Sequence, residues 1–185
     1  APRELQPGQR CEVWIASVTG ERELVFTTRD VLLEAPNWTR DGAALILNGA
    51  GKLWRLEFTD RTISQVPLTG IPDLNNDHVL APDGTGIYLS ANDGHIYRAA
   101  LSGGPAERIT DDDGSFHFLH GVSPDGSELA YVHLDPTAEA VWSSGTIRVL
   151  AADGSAGEWI RTEYHSGAKI DMAPGDYIMR AEWGA

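Results

Sequence analysis

Six histidines and 27 acidic side chains are this chain's stock of metal-ligating and proton-transferring groups. Two of the histidines, His78 and His120, stand 42 residues apart, each five residues before an Asp-Gly pair. Asp77 adjoins the first, and His117 lies three residues before the second. Imidazoles and carboxylates converging on one point are what a divalent metal needs. The equal spacing predicts that His78 and His120 occupy equivalent strand positions, with both rings facing a common axis and able to share an ion. The competing expectation is structural: such side chains bond neighbouring backbones and keep strands in register. Clustered polar groups mark sites only statistically, and the structural expectation is the favoured one, with no cofactor.

Other residues point to chemistry less strongly. Asp111-Asp112-Asp113-Gly114 has carboxylates suited to calcium, but the residues that follow do not supply the further oxygen ligands of a calcium loop, so the run reads as a solvated turn. Trp14, Trp54 and Tyr97 share one repeat position, where the third unit has Arg148; repeated aromatics of this kind read as packing. The signatures G-x-S-x-G, H-E-x-x-H and G-x-x-x-x-G-K-[ST] are absent.

The elements that would position these residues come from a repeat. Asp41-Gly42 returns 42 residues on as Asp83-Gly84 and again as Asp125-Gly126, each followed by an apolar strand. In a Pro-Asp-Gly turn the proline sets φ, the aspartate bonds its own backbone and the glycine takes φ > 0, which signals a hairpin. A second hairpin follows in each unit, with third strands Leu53-Trp54-Arg55-Leu56, Ile96-Tyr97-Arg98-Ala99 and Ile147-Arg148-Val149-Leu150. Four short strands per 42 residues is the period of a propeller blade, and helical periodicity is absent.

The ends complete one another. Residues 13–27 match only the second hairpin of a unit, and residues 169–181 only the first. The expected fold is therefore all-β: a propeller of four-stranded blades, four by count, with N- and C-terminal strands sharing the closing blade. Residues 1–10 read as an N-terminal extension and 11–185 as the propeller domain. The third unit carries an insertion at about 133–144, and inserted loops often carry function.

Composition bounds the partners. The net charge is −13, and the 14 basic residues are scattered. Nucleic acid, which binds basic patches, is not an expected partner. No apolar run approaches the roughly 18 residues of a membrane helix, so membrane insertion is not expected. One cysteine, Cys11, excludes an intramolecular disulfide and fits cytoplasm and periplasm alike.

The Pro-Asp-Gly hairpins, the Leu-Trp-Arg and Ile-Tyr-Arg strands, and the stretches Glu34–Trp38, Asn75–His78 and Leu119–Gly126 resemble the WD-like repeats of TolB-type propellers. The resemblance covers about residues 11–162. It implies a bacterial binding scaffold without catalysis of its own. Members of the family mostly have six blades, so part of a six-bladed propeller is the alternative architecture. The N-terminal domain through which true TolB proteins partner peptidoglycan-associated lipoprotein has no counterpart here, so that envelope role is not carried over. The expected ligand surface is the channel mouth, formed by Glu34, Asn37, Trp38, Asn76, Asp77, His78, His117 and His120. A protein, a small molecule or a carbohydrate would dock there. Propeller lyases acting on oligogalacturonides hold a channel metal with histidines before similar turns, which makes a metal-dependent carbohydrate lyase or hydrolase with a channel His/Asp site the alternative function.

Overall fold

A computed structural model describes residues 2–139, 141 and 145–154 of the chain. Its strands among the described residues are β1 (Cys11–Ala16), β2 (Arg22–Thr28), β3 (Glu34–Trp38), β4 (Ala44–Gly49), β5 (Lys52–Glu57), β6 (Ile63–Gln65), β7 (Leu68–Thr69) and β8 (Leu74–Leu80), followed by β9 (Gly86–Ala91), β10 (Ile96–Ala100), β11 (Gly104–Pro105), β12 (Glu107–Arg108), β13 (Phe116–Val122), β14 (Glu128–Leu134) and β15 (Thr146–Ala151). Consecutive strands pair antiparallel into the hairpin β1–β2, the four-stranded sheets β3–β4–β5–β6 and β8–β9–β10–β12, and the sheet β13–β14–β15. The short parallel pair β7–β11 links the two four-stranded sheets. No closed sheet forms among the described residues.

The Asp-Gly hairpins form for the reasons the sequence suggests. Asp83 Oδ1 accepts the Thr85 amide at 2.8 Å while Gly84 takes φ +75°. Asp125 Oδ1 accepts the Ser127 amide at 3.0 Å and the Ser123 hydroxyl at 2.6 Å.

The second strand of each four-stranded sheet is buried along its length, which explains its continuous apolar run. Successive side chains leave a strand on opposite faces. Leu45 and Leu47 of β4 thus join Cys11, Val13 and Val25 of the N-terminal hairpin. Ile46 between them points the other way, into a cluster with Leu74, Ile87 and Leu89 of the next sheet. Tyr88 of β9 in turn joins Leu119, Leu129 and Tyr131 of the third. The core is a series of apolar layers between sheets stacked face to face, the packing of propeller blades.

The insertion of the third unit begins later than the spacing implies. β14 runs through Leu134, and β15 begins at Thr146. His133 is therefore a strand residue paired with His117, not part of a loop. The shared closing blade depends on residues 169–181, which lie outside the described residues. Among the described residues no helix is long and apolar enough to cross a membrane.

Candidate functional site

The starts of the inner strands are tied to the preceding sheet by one repeated bond. The Leu74 amide donates to the Gly51 carbonyl at 2.9 Å, and the His117 amide to the Gly94 carbonyl at 2.8 Å. Between the first two of these sheets a cleft of about 220 Å³ opens, lined by Arg3, Glu34, Asn48, Asn75, Asn76 and Asn92 and by the Gly49–Gly51 turn. The Arg3 guanidinium meets the Glu34 carboxylate at 2.7 Å across one edge. Two non-glycine residues at the cleft hold left-handed backbone, Ala35 beside Glu34 (φ 50°) and Ala50 in the turn (φ 51°).

The eight expected mouth residues separate. Glu34 and Asn76 line the cleft. Asp77 stands next to Asn76, its amide bonded to Asn75 Oδ1 at 2.7 Å. Asn37 bridges two sheets, its Nδ2 donating to the His78 carbonyl at 3.2 Å. Trp38 lies at the other end of β3, half exposed, with its ring centroid 5.1 Å from that of Phe58. It adjoins a second cleft on the turn side, lined by Thr39, Arg40, Asp41, Arg55, Asp83 and Gly84.

His78 and His120 are not equivalent. His78 pairs with Leu89 on β9, whereas the residue paired with Tyr131, 42 positions after Leu89, is Leu119. A β-bulge between Leu119 and Gly121 takes up His120 as the extra residue. His120 is exposed, and His78 is buried with its Nδ1 on the side chain of Asn48. Burial drives the His78 pKa down to about 4, outweighing the Ile46 backbone, which favours the charged ring. It is neutral at neutral pH. The bulge thus breaks the common geometry that the 42-residue spacing implied.

The structure instead gathers Asp113, His117 and His133, whose ligand atoms all lie within 4.8 Å of one another. His133 Nε2 is 2.9 Å from Asp113 Oδ2, and His117 Nε2 is 3.5 Å from Asp113 Oδ1. His117 Nδ1 donates to the Gly94 carbonyl at 3.0 Å. Burial works to raise the Asp113 carboxyl, but the His133 bond, the Ser115 amide and the two imidazoles outweigh it and hold the pKa at about 2. Burial likewise lowers the His117 pKa. Asp113 is exposed, as are Asp111 and Asp112 beside it, but it is more than a solvated turn residue because its carboxylate meets two buried imidazoles. Nothing in the Asp-rich segment pointed to this. The 42-residue spacing does not show it either, because it aligns Phe116 with Leu74, whereas the strand register places Leu74 opposite Ala91 in the second sheet and His117 opposite His133 in the third.

The stacked antiparallel sheets define a β-propeller-like fold, and the chain is similar to known propellers of the TolB type. An uncharacterized protein of Agrobacterium fabrum is 35% identical over 118 residues, covering 61% of this chain and 39% of that protein. A structure from Agrobacterium tumefaciens, described as a TolB candidate, matches with a TM-score of 0.71 at 28% identity over 82% of this chain and 53% of that one. TolB from Acinetobacter baumannii matches at 0.64 with 18% identity, over 80% and 37% of the two chains. Oligogalacturonate lyase in complex with manganese matches at 0.56 with 14% identity, over 84% and 48%. The chain thus spans about two fifths of the curated relative and half of the Agrobacterium structure. No protein-family model matches it.

Proposed function

We propose that this chain is a TolB-like propeller module that binds a protein partner at the mouth cleft and performs no chemistry of its own. The observation that carries the reading is what lines the cleft: Asn75, Asn76 and Asn92 beside a buried Asn48, and the backbone of a tight turn, with one ion pair at the rim. Amides offer both donors and acceptors without charge, which suits hydrogen bonding to an extended peptide segment. The left-handed Ala35 and Ala50 support it, because strained backbone collects at ligand sites. Four blades with a shared closing blade belong to the same proposal.

A second reading is a metal-dependent carbohydrate lyase or hydrolase, favoured by the likeness to manganese-bound oligogalacturonate lyase. At 14% identity that likeness carries the fold only, so the reading stands second.

A displayed library of random peptides, panned on the purified chain, tests the proposal. Selected peptides should bind the chain and lose affinity for an Asn76→Ala, Asn92→Ala variant by about tenfold or more, the loss of one or two good hydrogen bonds. Cleavage of oligogalacturonate to unsaturated uronates, read by ultraviolet absorbance, would overturn it in favour of the enzyme.

A further inference from the structure

We propose that Asp113, His117 and His133 bind one divalent transition-metal ion of the zinc class. Two imidazole nitrogens and a carboxylate oxygen make a donor set of the kind that holds zinc with an open position. Tetrahedral ligands about 2.0–2.1 Å from such an ion lie roughly 3.3 Å from one another. The contacts from Asp113 to the two rings, 2.9 Å and 3.5 Å, bracket that separation. The rings stand edge to face with centroids 5.3 Å apart, on residues directly opposite in an antiparallel pair.

The hydrogen bonding orients one ring for this role. The partner of His117 Nδ1 is a carbonyl, which only accepts, so the nitrogen carries the proton. In the neutral ring Nε2 then presents its lone pair toward a carboxylate oxygen, in a side chain that is 4% exposed. Two acceptors face each other, and a cation between them resolves the opposition. A ring N–H held by a backbone carbonyl is also the usual support of a metal-bound histidine.

The internal repeat says that these residues are not demanded by the fold. In the preceding sheet the corresponding strand pair is Leu74 and Ala91, with Ile71 packed against them. An apolar cluster satisfies that position. The third sheet replaces the pair by two imidazoles and adds a carboxylate from the turn before β13. Asp113, 41% exposed, gives the site an open side, where water or an oxygen ligand completes the coordination. The ion ties the turn before β13 to the β13–β14 hairpin. Its residues are separate from the peptide cleft, so the inference does not depend on that reading.

The test is calorimetric titration of zinc chloride into the full chain, freed of any polyhistidine tag and stripped with a chelator. Visible absorption of the cobalt(II) form reports the geometry. The decisive variant combines His117→Leu with His133→Ala, which copies the Leu74/Ala91 pair and therefore keeps the fold. One ion per chain, lost by on the order of 100-fold or more in the double variant and in Asp113→Asn but retained in His120→Ala, is the expected result. Absence of saturable binding to the parent chain, or equal binding by the double variant, overturns the site.

Discussion

Asn48 and His78 meet side chain to side chain across the seam between two neighbouring sheets. Asn48 Nδ2 donates to the Asn75 carbonyl at 2.6 Å, which leaves its Oδ1 to accept the proton of His78 Nδ1. Both residues are nearly inaccessible. The pair spans the base of the mouth cleft, since Asn48 and Asn75 line it.

Asn48→Ala should therefore destabilise the chain by about 2 kcal/mol, because it orphans a buried imidazole donor and a backbone carbonyl together. Urea unfolding measures it. A midpoint equal to the parent's would show that the pair does not hold the seam.

The same burial makes stability depend on pH. The His78 pKa is about 4 in the folded chain against 6.5 for the free side chain. The unfolded chain takes up a proton that the folded chain refuses, so this group's contribution is full above pH 6.5. It falls as the pH drops from about 6.5 to about 4, then levels off once the folded ring also protonates. Unfolding midpoints across this window should decline in the parent chain and decline less in His78→Asn. Identical slopes in the two proteins would remove His78 as the cause.

Removing residues 1–28 should give an aggregating chain. Cys11, Val13 and Val25 cover Leu45, Leu47 and Leu56, and their loss opens that apolar face. Light scattering during concentration checks this. A monomeric truncated chain with an unchanged melting curve would mean that the N-terminal hairpin is not part of the stack.

Gly84→Val should cost roughly 1–3 kcal/mol, since a β-branched residue resists φ > 0. The added Cβ would also stand 3.2 Å from Arg40 of the preceding turn. Thermal unfolding at matched pH is the measurement, and an undiminished midpoint would contradict the turn geometry.

The turns, the strand order and the stacking were legible because Asp-Gly pairs and apolar alternation act locally. Spacing alone failed where register slips. His78 and His120 keep a constant distance to their turns, yet a bulge at His120 shifts Leu119 into the place of His78. A bulge inserts one residue without changing composition, so counting cannot see it. The Asp113–His117–His133 group escaped notice because its members come from a turn and two strands. The His133 strand end looked like the start of an insertion.

Backbone amide chemical-shift mapping of a selected peptide on the labelled chain tests the binding proposal most directly. Shifts should concentrate at Glu34, Asn48, Gly49–Gly51, Asn75, Asn76 and Asn92, residues of the mouth cleft. Shifts confined to Thr39, Arg40, Asp41, Asp83 and Gly84, at the turn end of the same sheets, would contradict it.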